Sequence, residues 1–307
     1  MTSQPAIRRY LTVFLAALWV APLIGMQADP IQQDLKKVVT FVFAPNDKGE
    51  LVPNGTAFFV ELDEHVTTNQ HHAHYLVTAR HVISAPNKSL LPLIVLRLNT
   101  KSGALTQAFI PFVTQGSEKN IFFNQDPTVD LAVIDVSRLA FLSHTPTDID
   151  VVNLPPDIIT TKKDFVDLKI SEGTEVFFIG LFHSYFGTAH NYPIVRFGKV
   201  ALITDERIDC PEPRPDSGTN ILQRTQQDLY LLECTSTPGN SGSPVFFSFT
   251  EPGTPKFKLA GIMKGVFTEF EPIVAIPTAN PSLASRSGPT SGRSCRPRSG
   301  GARMTAR

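Results

Sequence analysis

Three short segments carry side chains that could do chemistry together. The first, Tyr75-Leu-Val-Thr-Ala-Arg-His81-Val, runs apolar and delivers an imidazole at its end. The second, Val129-Asp130-Leu-Ala-Val-Ile134, opens an apolar run with a lone carboxylate. The third, Thr237-Pro238-Gly239-Asn240-Ser241-Gly242-Ser243-Pro244-Val245, places a serine between glycines just before another apolar run. A serine hydroxyl is a weak nucleophile at neutral pH. It needs a base within about 2.6–3.2 Å, and the base needs an orienting acceptor. Histidine suits the base because its ordinary pKa of about 6.5 lets it take and return a proton. A buried aspartate fixes the tautomer and stabilises the imidazolium as it forms. Glycines before and after Ser241 let the backbone turn sharply, so amide N–H groups can converge on one point. Such a donor pair stabilises an oxyanion, and losing one donor typically costs about 10²–10³-fold in rate. A surface histidine, a strand-opening aspartate and a turn serine each have an innocent explanation; the chemistry is suggested by the three together.

Those side chains need a frame. Short apolar or alternating runs recur at 38–44, 55–62, 75–78, 93–98, 108–113, 131–135, 175–181, 196–204, 229–234, 245–249 and 258–263. They are rich in Val, Ile, Phe and Tyr, and are punctuated by Pro45-Asn46-Asp47, Pro53-Asn54-Gly55 and Glu251-Pro252-Gly253. Many short strands with turn signals and few helical patterns predict an all-β chain, a sandwich or a pair of barrels. The 25 Pro and 19 Gly point the same way. Residues 143–169 hold five Asp and three Pro with few apolar anchors. They predict a connector at 143–164 between an N-terminal half at 33–142 and a C-terminal half at 165–281. No internal repeat is visible.

The chain has 307 residues, 42% hydrophobic and 18% charged, which excludes a disordered chain and a coiled coil. A formal net charge of zero argues against nucleic acid as a partner. That zero hides an asymmetry. Up to Pro281 the chain carries 22 basic and 28 acidic residues, net −6, whereas 282–307 carry six Arg and no acid. This Ser/Gly/Arg/Pro-rich end cannot bury a core and is expected to be disordered. The abrupt change after Asn280 is what a frameshift leaves; an anchor to an anionic surface is the other reading. At the opposite end, Arg8 and Arg9 precede an apolar run at 10–26 that Pro22 interrupts. That is the layout of a secretory signal peptide, assigned to 1–28. The run falls short of the about 20 residues a membrane span needs. The expectation is export to the periplasm or the extracellular space, with no membrane span in the mature body. An uncleaved N-terminal anchor is the alternative. Export permits a Cys210–Cys234 disulfide and leaves Cys295 over.

The three segments resemble the trypsin-like (chymotrypsin-fold) serine peptidases, in the bacterial form that carries Gly-Asn-Ser-Gly-x-Pro. The order His81, Asp130, Ser241 is that family's order, and Gly55-Thr-Ala-Phe-Phe-Val60 is similar to the strand preceding its histidine. The resemblance spans about 35–280. It implies two six-stranded antiparallel β-barrels with the site in the cleft between them. It implies a serine endopeptidase acting on a protein or peptide substrate through an acyl-enzyme, with no cofactor and no metal. Ser241 would be the nucleophile, His81 the base then acid, and Asp130 the orienting carboxylate. The amides of Gly239 and Ser241 would form the oxyanion hole.

There are departures. Many family members hold Asp where this chain has Asn240, and pair it with a freed N-terminal ammonium. An amide cannot make that ion pair, so local hydrogen bonds are expected to set the loop. Ser243 replaces the commoner second glycine, and Arg80 replaces a small residue beside the histidine. The substrate pocket would be walled near Thr235, Ser236 and Lys264. None of the three is acidic, so cleavage after Lys or Arg is not supported. Lys264 would either favour an acidic residue or point to solvent.

Two other classes compete. A protease fold that has gone silent and binds or scaffolds is one, since fold alone does not give function. A metal-dependent hydrolase on His71, His72 and His74 is the other, weighed against a solvated loop because no recognised ligand spacing accompanies them. Asn54-Gly55-Thr56 and Asn87-Lys88-Ser89 fit the glycosylation pattern and also read as plain turns.

Overall fold

The computed structural model describes residues 33–46, 48–66, 69–113, 119–137, 148–213, 222–251, 254–266 and 302–305. Residues 1–28, expected to be a signal peptide, Cys295 and the stretch at 282–301 lie outside the described residues. Among the described residues fifteen strands follow one another: β1 (Val39–Pro45), β2 (Leu51–Val66), β3 (Asn69–Thr78), β4 (Leu93–Asn99), β5 (Leu105–Pro111), β6 (Ile121–Phe123), β7 (Ala132–Asp135), β8 (Glu175–Gly180), β9 (Ile194–Leu202), β10 (Ile208–Pro213), β11 (Leu222–Gln227), β12 (Tyr230–Cys234), β13 (Pro244–Glu251), β14 (Thr254–Val266) and β15 (Ala302–Thr305). The chain is all-β, as its composition predicts, built on two antiparallel sheets. The first is a seven-stranded sheet in the order β5-β4-β1-β2-β3-β7-β6, one strand more than expected. The second is a closed barrel of β12-β15-β14-β13-β8-β9. A two-stranded ribbon, β10–β11, stands beside them.

The closing strand comes from an unexpected place. Ala302–Thr305 lie in the segment expected to be disordered, yet they pair with β12 on one side and β14 on the other. Backbone pairing does not depend on side-chain hydrophobicity, so a composition argument cannot exclude it.

β1 is buried along almost its whole length because both of its faces are covered. Phe41 and Phe43 pack with Val95, Leu181 and Phe186, and Leu181 and Phe186 follow β8 in the second half. β13 is also buried on both faces. Val245 and Phe247 fill the barrel interior with Val176, Phe178, Val200, Leu232 and Met263. Between them Phe246 points the other way, stacked on Phe177 at 5.1 Å.

The segment joining the halves runs along both. Leu154 N–H donates to the Phe59 carbonyl and Glu61 N–H to the Leu154 carbonyl, each at 2.9 Å, while Thr160 N–H donates to the Leu259 carbonyl at 3.0 Å. A helix α1 (Lys162–Asp167) follows, started by a capping box between Thr161 and Asp164. Cys210 and Cys234 do not bond to each other. Cys210 is buried, and its Sγ donates to the Ile208 carbonyl at 3.3 Å. No helix among the described residues is long and apolar enough to cross a membrane.

Candidate active site

β3 ends at Thr78, and the backbone turns at once into a short 3-10 helix, Arg80–Ile83, that holds His81. The turn is pinned from beneath: Thr78 Oγ1 donates to the Thr56 carbonyl at 2.7 Å, and Ala79, Val82 and Ile83 are buried. Asp130 meets His81 at two points. The His81 backbone N–H donates to Asp130 Oδ1 at 3.0 Å, and His81 Nδ1 lies 2.6 Å from Oδ2. The Asp130 side chain is 11% exposed and that of His81 49%. A shielded carboxylate therefore faces an imidazole whose other edge is open. The loop leading to Asp130 has its own support. The Thr128 hydroxyl and amide hold the Asp126 carboxyl below the usual carboxylate range, and Arg207 pairs with its other oxygen. Arg80, which the sequence left without a role, lies over the Phe123 ring at 4.6 Å.

Ser241 sits on a turn that only glycine permits on both sides. Gly239 has φ +94° and Gly242 φ +82°, conformations that side chains with a Cβ seldom adopt. At Gly242 a Cβ would stand 2.1 Å from the Thr56 carbonyl oxygen and 2.4 Å from Thr78 Oγ1, so the serine turn rests directly on the strand ends that deliver His81. Thr56 N–H donates to the Ser241 carbonyl at 2.9 Å. A Cβ on Gly55 would touch both Val82 and that same carbonyl, at 2.7 and 3.0 Å. The histidine and serine segments, 160 positions apart, thus share one contact point.

The loop is held by local hydrogen bonds, in line with the expectation from Asn240. Asn240 is fully buried; its Nδ2 donates to the Leu181 carbonyl at 2.7 Å, and its Oδ1 accepts from Thr237 N–H at 2.9 Å. Thr56 Oγ1 donates to the Gly239 carbonyl at 2.9 Å and accepts from Leu181 N–H at 2.8 Å. Among the described residues, the amides of Gly239 and Ser241 donate to no acceptor. Asn240→Asp would set a second acceptor against the Leu181 carbonyl and bury a charge. The expected loss is about 2–4 kcal/mol of stability, read by thermal unfolding at neutral pH.

The remaining sequence candidates are placed less simply. Ser241 Oγ donates to the Lys264 carbonyl at 3.2 Å, and no hydrogen bond joins it to His81. Lys264 belongs to this site through its backbone, while its Nζ donates to the buried Gln227 side chain. Ser236 Oγ reaches Asn240 Oδ1 at 3.5 Å, and Thr235 is exposed. His74 lies 3.2 Å from Asn153 Nδ2, which also reaches Glu61; the side chains of His71 and His72 lie outside the described residues. Among the described residues no group of three or more His, Cys, Asp or Glu could hold a metal ion. Asn54 Nδ2 donates to the Val82 carbonyl at 2.6 Å, and Asn87 Oδ1 closes a local turn onto Ser89. Sequence reasoning missed Thr56, Leu181 and the Lys264 carbonyl. Of these only Thr56, a lone hydroxyl in an apolar strand, left any signal.

No family model and no curated protein matches the chain. Among solved structures it is similar to a human heparin binding protein, at 11% identity and a TM-score of 0.37, over 74% of this chain and 87% of that one.

Proposed function

We propose that the protein is an exported serine endopeptidase in which Ser241 attacks the scissile carbonyl of a protein or peptide substrate. The observation that carries this reading is the two-point grip of Asp130 on His81 directly against the serine turn. With Nδ1 bound to Asp130, the imidazole's Nε2 takes the hydroxyl proton and returns it to the leaving amine. The unbonded amides of Gly239 and Ser241 supply the oxyanion donors. Attack first requires Ser241 Oγ to give up its hydrogen bond to the Lys264 carbonyl and turn towards His81.

The same hydrogen bond to Lys264 favours the second reading, a silent protease fold that binds or scaffolds. A fluorophosphonate probe separates the two. The enzyme is labelled once per chain, on Ser241, and labelling disappears in Ser241→Ala and persists in chelator. A folded wild type that the probe leaves untouched decides for the binding protein. Labelling and hydrolysis that stop with chelator would point to a metal enzyme instead.

A further inference from the structure

We propose that Arg97 is a positioning residue for the oxyanion loop, acting through the 182–193 loop and Leu181. This rests on reading Ser241 as the nucleophile. Arg97 lies on β4 in the first half and is 8% exposed. Its guanidinium reaches across to the loop between β8 and β9. Nη1 donates to Asn191 Oδ1 at 2.7 Å and to the Phe186 carbonyl at 3.3 Å; Nη2 donates to the carbonyls of Gly187 and Thr188 at 2.7 and 3.2 Å. All four acceptors are neutral. A buried cation held by carbonyls alone contributes little to stability compared with an apolar pair of the same volume. Its distinctive effect is geometric, because a planar fork fixes several carbonyls at once.

The loop answers in kind. Asn191 Nδ2 donates back to the Arg97 carbonyl at 2.5 Å, and Asn191 and Asn99 exchange two further bonds at 2.7 and 3.1 Å. Gly187 turns with φ +89°, where a Cβ would stand 2.1 Å from the His190 carbonyl. That reversal aims the carbonyls at the guanidinium. The Arg97 guanidinium also covers the Phe186 ring, 5.1 Å from its centroid. Phe186 meets Phe43 edge-on at 5.7 Å and packs in the cluster that contains Leu181. Leu181 is the hub. Its carbonyl holds Asn240, and its side chain would lie 3.0 Å from a Cβ on Gly239. An internal cation thus orders this loop by clamping its neighbour, from the opposite half of the molecule.

The test compares wild type, Arg97→Met and Arg97→Lys in the full chain. Four quantities are read: the second-order rate of fluorophosphonate labelling, the inhibition constant of a peptide aldehyde, whose adduct needs the oxyanion donors, KM on a peptide substrate, and amide exchange over 237–243. Arg97→Met is expected to lower the labelling rate about 10–100-fold, weaken the aldehyde in parallel, leave KM nearly unchanged and speed exchange at 237–243. Arg97→Lys recovers part of each, since an ammonium reaches fewer carbonyls. If Arg97→Met does not fold, Phe186→Leu carries the same readouts. A folded Arg97→Met with wild-type labelling and exchange overturns the proposal. A wild type that is never labelled, with exchange at 237–243 still faster in Arg97→Met, overturns the nucleophile and keeps the clamp.

Discussion

Asp130→Asn is expected to leave a folded protein whose kcat on a peptide substrate falls about 10⁴-fold, the size of effect a wrong imidazole tautomer produces in such triads. The reason lies in the two contacts Asp130 makes. Oδ1 accepts the His81 amide at 3.0 Å and Oδ2 faces Nδ1 at 2.6 Å. Both demand acceptors, and an asparagine side chain has one acceptor oxygen and one donor nitrogen. The oxygen goes to the backbone N–H, which cannot change its role. The NH₂ group then faces Nδ1 and forces the proton onto Nε2, the nitrogen that receives it from Ser241 in the proposed mechanism. Volume and packing hardly change, so thermal stability should move little, and KM should hold. The measurement is kcat beside a thermal melt. A folded Asp130→Asn with kcat within tenfold of wild type would show that this carboxylate does not orient the base.

Gly242→Ala has the largest expected effect on folding. The position combines φ +82° with a Cβ that would sit 2.1 Å from one backbone oxygen and 2.4 Å from a hydroxyl. The oxygen belongs to Thr56, whose N–H holds the Ser241 carbonyl, so it cannot retreat without loosening the serine turn itself. The hydroxyl is that of Thr78, which donates to the same oxygen. Left-handed backbone strain costs about 1–3 kcal/mol and overpacking a further 1–3 kcal/mol or so. Together these amount to about 4 kcal/mol, or roughly 8–16 °C in Tm for a chain of this size. Gly49 is the control, because it has φ +78° but nothing within 4 Å of its Cβ position. Gly49→Ala should lose only the conformational part. Equal losses at the two positions would mean that the serine turn is not pressed against the first sheet.

Much of this was legible in the sequence, for physical reasons that differ by element. All eleven apolar runs fall on strands, because each is buried on at least one face and must show it. β6 was missed at three residues, too short for an alternation to register. β10 and β11 were missed because neither carries the alternation expected of a core strand. One holds Pro211 and Pro213, the other reads Leu-Gln-Arg-Thr-Gln-Gln, and both belong to a ribbon outside the two main sheets. At the site, His81, Asp130, Ser241 and the two glycines were readable because each lies in a local motif. Leu181, the Lys264 carbonyl and the Phe186–Thr188 carbonyls were not, since a backbone acceptor is the same in every residue type. Lys264 shows the difference most clearly. The sequence offered its ammonium to a substrate or to solvent, while the fold gives that ammonium to Gln227 and uses the main chain beside Ser241.

The stitched seam between the halves has a mechanical consequence. The joining segment is bonded to β2 and to β14, and Thr56 bridges the same boundary from inside, through Leu181 N–H and the carbonyls of Gly239 and Ser241. To gape like a clamshell the molecule would have to strip several buried donors of their acceptors at once, each at a cost of about 1–3 kcal/mol. The setting of one half against the other is therefore fixed when the chain folds.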